Sequence, residues 1–160
     1  MTDGEFLSAL EQCRLPATEF GHLAHVRAAY LYLQAGEFAT ALGRMRCAIR
    51  NYARHLGKAD RYHETMTVAY LALIQQHIAE RGSGLCWEDF LRGNADLVQP
   101  GLLLQYYPQV QLNCELARRV FLLPRRPATG HAAGDAPGDA AGDAAGDTAA
   151  VRFQADGGAP

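Results

Sequence analysis

The chain has 160 residues, 49% of them hydrophobic and 20% charged, which fits one globular domain and excludes two full-sized ones. Residues 1–127 carry 14 Lys+Arg against 12 Asp+Glu, a net +2, while residues 128–160 carry one Arg against five Asp, a net −4. Neither part concentrates basic charge between exposed aromatics, so nucleic acid is not an expected partner.

The first residues, MTDGEFLSAL, are acidic and lack both a positive leader region and an unbroken apolar run, so no secretory signal is read. The longest apolar stretch, Val68 to Ile74, is far short of the roughly 20 residues that span a bilayer. The expectation is a cytoplasmic protein that does not engage membranes. Lys58 is the only lysine, and with the many Ala and Gly residues this points to a GC-rich, bacterial coding sequence. Cys13, Cys47, Cys86 and Cys114 show no C-x-x-C spacing and read as reduced thiols rather than zinc ligands.

Thr2 followed by Glu5 has capping-box spacing, and Phe6, Leu7 and Leu10 supply an apolar face, so a first helix is predicted to about Arg14, ended by Leu15-Pro16. Leu23, Val26, Tyr30 and Leu33 recur at helical spacing in a second helix that stops at Gly36. Phe38, Ala41, Leu42, Met45, Ala48, Ile49 and Tyr52 predict a third to about His55, with Arg44, Arg46, Arg50 and Arg54 on its solvated side. The fourth segment, from Arg61 to Gly82, is apolar on most sides between Met66 and Ile74, the pattern of a helix central to a bundle, with Leu73 expected at its core. Trp87 to Leu91 suits a short helix, Pro100 and Pro108 punctuate, and Gln111 to Val120 suits one more. From about Ala128 a Gly-Asp-Ala repeat has almost nothing to bury, and disorder is expected over 128–160. The fold class is thus all-α: a single compact bundle of five to six helices over 1–127, with a disordered tail.

The histidines bear most directly on function. His22 and His25 fall on or beside the inward stripe of the second helix, and side chains three residues apart can converge on one metal ion. On the fourth helix, Tyr62, His63, Tyr70 and His77 share a face. His63 is the natural third ligand, with Glu64 as a fourth ligand, a carboxylate supporting a ligand, or a general base. Three nitrogens and a water suit Zn²⁺, and a His and carboxylate set with open positions suits Fe²⁺ or Mn²⁺. Tyr62 would orient a small-molecule substrate, and Arg27 and Arg61 are candidates for an anionic group on it. His77 and His55, near helix C-termini, read as structural, and Tyr30, Tyr32 and Tyr70 as packing residues.

Phe20-Gly21-His22-Leu23-Ala24-His25-Val26 with Ala29-Tyr30, and later Tyr62-His63-Glu64-Thr65, resemble the F-H-H-x-x-H-V-x-x-A-W and Y-H-E-T patterns of uncharacterised small bacterial helical proteins. The resemblance covers about residues 18–123 and implies that His22, His25, His63 and Glu64 belong to one site, without implying a reaction. Gly21 departs from the histidine of that pattern. Ala28 to Leu42 is similar to one helix-turn-helix of a tetratricopeptide repeat, of which only one copy is found. Two functions are therefore expected, the first as the leading reading and the second as its alternative. One is a metal-dependent enzyme using His22, His25 and His63 as ligands with Glu64 and Tyr62 at the reacting centre, metal-activated water being favoured over oxidation. The other is a tetratricopeptide-like interaction module with structural histidines. Convergence of the three imidazoles distinguishes them.

Overall fold

Thr2 and Glu5 do form a reciprocal capping box, the Thr2 hydroxyl accepting from Glu5 N–H at 3.3 Å and the Glu5 carboxylate from Thr2 N–H at 2.8 Å. Helix α1 (Asp3–Glu11) ends three residues before the predicted point. The reason is local: Cys13 turns left-handed at φ 55°, and Cys13 N–H and Arg14 N–H close back on the carbonyls of Leu10 (3.0 Å) and Ala9 (2.7 Å). Helix α2 (His22–Gln34) and helix α3 (Phe38–His55) follow as predicted. α3 ends in the same closure with Gly57 at φ 69°, Lys58 N–H reaching Ala53 O at 2.8 Å.

The computed structural model describes residues 1–81 and 84–125, all-α with no strand among them. The repeat expected to be disordered lies outside the described residues. A 3₁₀ turn (Ala59–Arg61) precedes helix α4 (Glu64–Arg81), so Tyr62 and His63 stand ahead of the helix, and the shared face drawn for them with Tyr70 and His77 does not exist. Helix α5 (Trp87–Gly93) is followed by 3₁₀ turns at Ala95–Val98 and Leu102–Gln105. The single helix expected over Gln111–Val120 is two, α6 (Gln109–Asn113) and α7 (Glu115–Arg119), because Cys114 is extended at ψ 148°.

α2 packs against both α3 and α4, and α7 closes on α4. Ala24, Ala28 and Ala29 of α2 and Ala41 and Ala48 of α3 are buried, so small side chains line the elements that approach one another. Tyr30, Tyr32 and Tyr52 are fully buried, and each finds an acceptor for its hydroxyl: Leu85 O at 2.6 Å, Glu11 Oε1 at 3.1 Å and Leu15 O at 2.7 Å. They are packing residues with their polar ends satisfied. α4 contributes Leu71 and Ile74 to the core with no exposure, while Leu73 is only half-buried. No helix among the described residues is long and apolar enough to cross a membrane.

Candidate functional site

The Tyr62-His63-Glu64-Thr65 run is a junction, with each side chain taking a different partner. His63 occupies the N-cap position of α4: its Nδ1 accepts from Met66 N–H at 3.2 Å, satisfying one of the orphan donors of the first turn. Its Nε2–H donates to Leu112 O of α6 at 2.8 Å. Both ring nitrogens are thereby committed, and the tautomer follows from the two partners. Thr65, fully buried, donates to Val120 O at 2.8 Å and accepts from Leu122 N–H at 3.1 Å. Gln111 extends the same seam, donating to Leu123 O at 2.8 Å and accepting from Arg125 N–H at 3.2 Å. Thr65→Val, nearly isosteric, should leave a carbonyl and an amide unpaired and cost about 1–3 kcal/mol. Hydrogen exchange should report the loss as faster exchange at Leu122 before the rest of the helical core.

Glu64 is buried at the first turn of α4, where the helix dipole favours a carboxylate. Tyr62 donates to its Oε2 at 2.6 Å, Arg50 reaches the same oxygen at 3.4 Å, and Arg46 pairs with Oε1. Arg50 also stacks on the Tyr62 ring, 4.4 Å from its centroid. Burial, with the bond to Glu64 second, pushes the Tyr62 hydroxyl up to about 12, so at neutral pH it holds its proton. Arg46 and Arg50, expected on a solvated face, are the partners that sequence reasoning missed. Their spacing of four along α3, one turn apart beside the buried Met45 and Ile49, was the available signal. Arg46 Nε is buried and has no acceptor among the described residues.

His22 and His25 lie on α2. His22 Nε2–H donates to Leu97 O at 3.1 Å, and the ring meets Tyr70 edge-on with centroids 5.0 Å apart. His25 Nδ1–H donates to Gly21 O at 2.8 Å and the ring lies 4.1 Å from Phe20, which in turn contacts Tyr52 at 4.4 Å. His77 Nδ1–H donates to Asn94 Oδ1 at 2.7 Å, and the fully buried Asn94 amide donates to Phe90 O at 2.7 Å, tying α4 to the end of α5. Arg27 pairs with Asp3 at 2.6 Å and covers the Phe6 ring, and Arg61 is exposed. An open depression beside α1, lined by Met1, Glu5, Ser8 and Arg14, includes none of the predicted site residues.

Among the described residues, no three His, Cys, Asp or Glu side chains are disposed to hold one metal ion. A divalent ion on His22, His25 and His63 would require His63 to give up the lone pair that caps α4. No family model, curated protein or solved structure matches the chain.

Burial keeps these imidazoles neutral. His25 is pushed down to about 4 by burial, opposed by the Gly21 carbonyl and aided by His22, and burial likewise lowers His22 and His63 against the carbonyls of Leu97 and Leu112. Between the unfolded value near 6.5 and about 4, the unfolded chain binds protons that the folded chain does not, so stability falls as pH drops through that window. The His25 contribution should be on the order of 2 kcal/mol, the residue being partly exposed. Urea unfolding at pH 7, 6 and 5 should show the decline, and His25→Gln should flatten it.

Proposed function

We propose that the chain is a helical protein-interaction module whose histidines are structural and whose partner is an apolar segment docking on its C-terminal surface. The observation that carries this is the distribution of exposed apolar side chains. Of the large exposed hydrophobics among the described residues, seven fall between Leu104 and Leu123: Leu104, Tyr106, Val110, Leu116, Val120, Phe121 and Leu123, with Val110 and Leu123 each 75% exposed. Scattered exposed leucines are ordinary, whereas seven large apolar side chains exposed within 20 residues of sequence support an interaction surface. The side chains of His63 and Thr65 fix that segment to the start of α4 by bonding its carbonyls at Leu112 and Val120, and Gln111 ties the segment to its own end at Leu123, which supports a rigid presenting surface. The successive helices α2 and α3 are compatible with the tetratricopeptide-like reading.

The test places a photo-crosslinking amino acid at Val110 and at Leu123 in the full chain, then purifies the captured protein and titrates it by calorimetry. Saturable binding of defined stoichiometry, weakened at least about tenfold by Val110→Glu with helicity unchanged, is the expected result; tenfold corresponds to about 1.4 kcal/mol. Binding indifferent to both Val110→Glu and Leu123→Glu would overturn the reading. So would a stoichiometric metal ion in the purified chain, lost in His22→Ala and His25→Ala; that outcome favours a metal-dependent enzyme acting on a small molecule.

A further inference from the structure

The C-terminal half of α3 and the turn after it carry Arg46, Arg50, Arg54, Lys58 and Arg61, with only Asp60 and the buried Glu64 as acids among or beside them. Arg46 is 37% and Arg50 50% exposed even while paired to Glu64, and Arg54, Lys58 and Arg61 are exposed. One carboxylate between two guanidiniums leaves this ridge net cationic. In a domain of net +2, it is where a polyanion would be held.

The same chain contains a segment of matching charge. Asp135, Asp139, Asp143 and Asp147 recur every four residues in the Gly-Asp-Ala repeat, which contains no basic residue. Where the described chain ends is equally informative. Leu122 N–H is bonded to Thr65 Oγ1, beside the glutamate that Arg46 and Arg50 hold, and three residues later Arg125 N–H is bonded to Gln111 Oε1 of α6. Asp135 is ten positions beyond Arg125, enough to span up to about 35 Å. Spacing also agrees. A four-residue step of extended chain covers about 13 Å, close to the about 12 Å between Arg46 and Arg54, eight residues apart on a helix, so two successive Asp residues can reach both.

We propose that the Asp135–Asp147 repeat docks in cis on the Arg46–Arg50–Arg54 ridge of α3, as a tethered acidic occupant. Each exposed ion pair contributes little, so the contact depends on the tether, which holds the carboxylates at high effective concentration. It also depends on low ionic strength, since the Debye length falls from about 30 Å at 0.01 M to about 3 Å at 1 M. It does not rest on the apolar surface proposed above.

The test compares backbone amide and arginine Nε–H spectra of the full chain with those of a full-length quadruple variant, Asp135→Asn, Asp139→Asn, Asp143→Asn and Asp147→Asn. At low salt (~20 mM NaCl), differences should concentrate on residues 46–61, stay unchanged on tenfold dilution, and vanish at high salt (~500 mM NaCl). Arg54→Glu, at an exposed position, should remove the differences at low salt. Superimposable spectra at low salt would overturn the proposal, as would differences that persist at high salt. Differences falling on residues 104–123 would make the tail a cover for the apolar surface, and dependence on concentration would make the occupant a second copy's tail; either result also overturns it.

Discussion

Glu64→Ala is expected to lower the free energy of unfolding by about 3 kcal/mol, read as a shift in urea midpoint at unchanged slope. The carboxylate accepts from Tyr62, Arg46 and Arg50, and removing it leaves three donors gathered around a vacated buried acceptor. The figure sits at the lower end for broken buried pairs because both guanidiniums are partly exposed and can turn toward water. Combining Glu64→Ala with Arg46→Met and Arg50→Met should recover part of the loss, since the destabilisation comes from stranded charge as well as from missing contact. A Glu64→Ala chain as stable as the wild type would remove this cluster from the fold's supports and return Glu64 to a reacting centre.

The second large effect lies in α4. Ile74 has no exposed surface, and Ile74→Ala should cost about 2–5 kcal/mol through lost burial and the cavity left behind. Leu73→Ala, at a half-buried position, should cost clearly less. Chemical denaturation of the two variants side by side checks the ranking. Equal losses would mean that the buried face of α4 is one residue out of register from the observed one.

The apolar periodicity that makes α4 the core helix is plain in the sequence, but which of three adjacent apolar residues points inward is not. A helix apolar on most sides has a weak moment, and its orientation is set by neighbours that contact it only after folding. The boundaries of α2 and α3 are legible because glycine follows each end, Gly36 and Gly57. The end of α1 is not, because a cysteine takes the left-handed position there. The gravest consequence of a misplaced boundary falls on His63. Starting α4 before Tyr62 puts His63 on a helical face with Tyr70 and His77, whereas starting it at Glu64 makes His63 the cap. Inwardness of His22, His25 and His63 is readable from pattern alone. Their acceptors, the carbonyls of Leu97, Gly21 and Leu112, are main-chain groups that no residue type announces.

The central claim, that these histidines bind the fold together, is tested most directly by long-range ¹H–¹⁵N spectra of the imidazole rings in the full chain at neutral pH, before and after one equivalent of Zn²⁺ and, anaerobically, Fe²⁺. Neutral rings are predicted for all three: His63 with its proton on Nε2 and Nδ1 as acceptor, His22 with its proton on Nε2, His25 with its proton on Nδ1, and none moved by the metal. Concerted shifts of His22, His25 and His63 at one equivalent, with the ion retained through gel filtration, would contradict it.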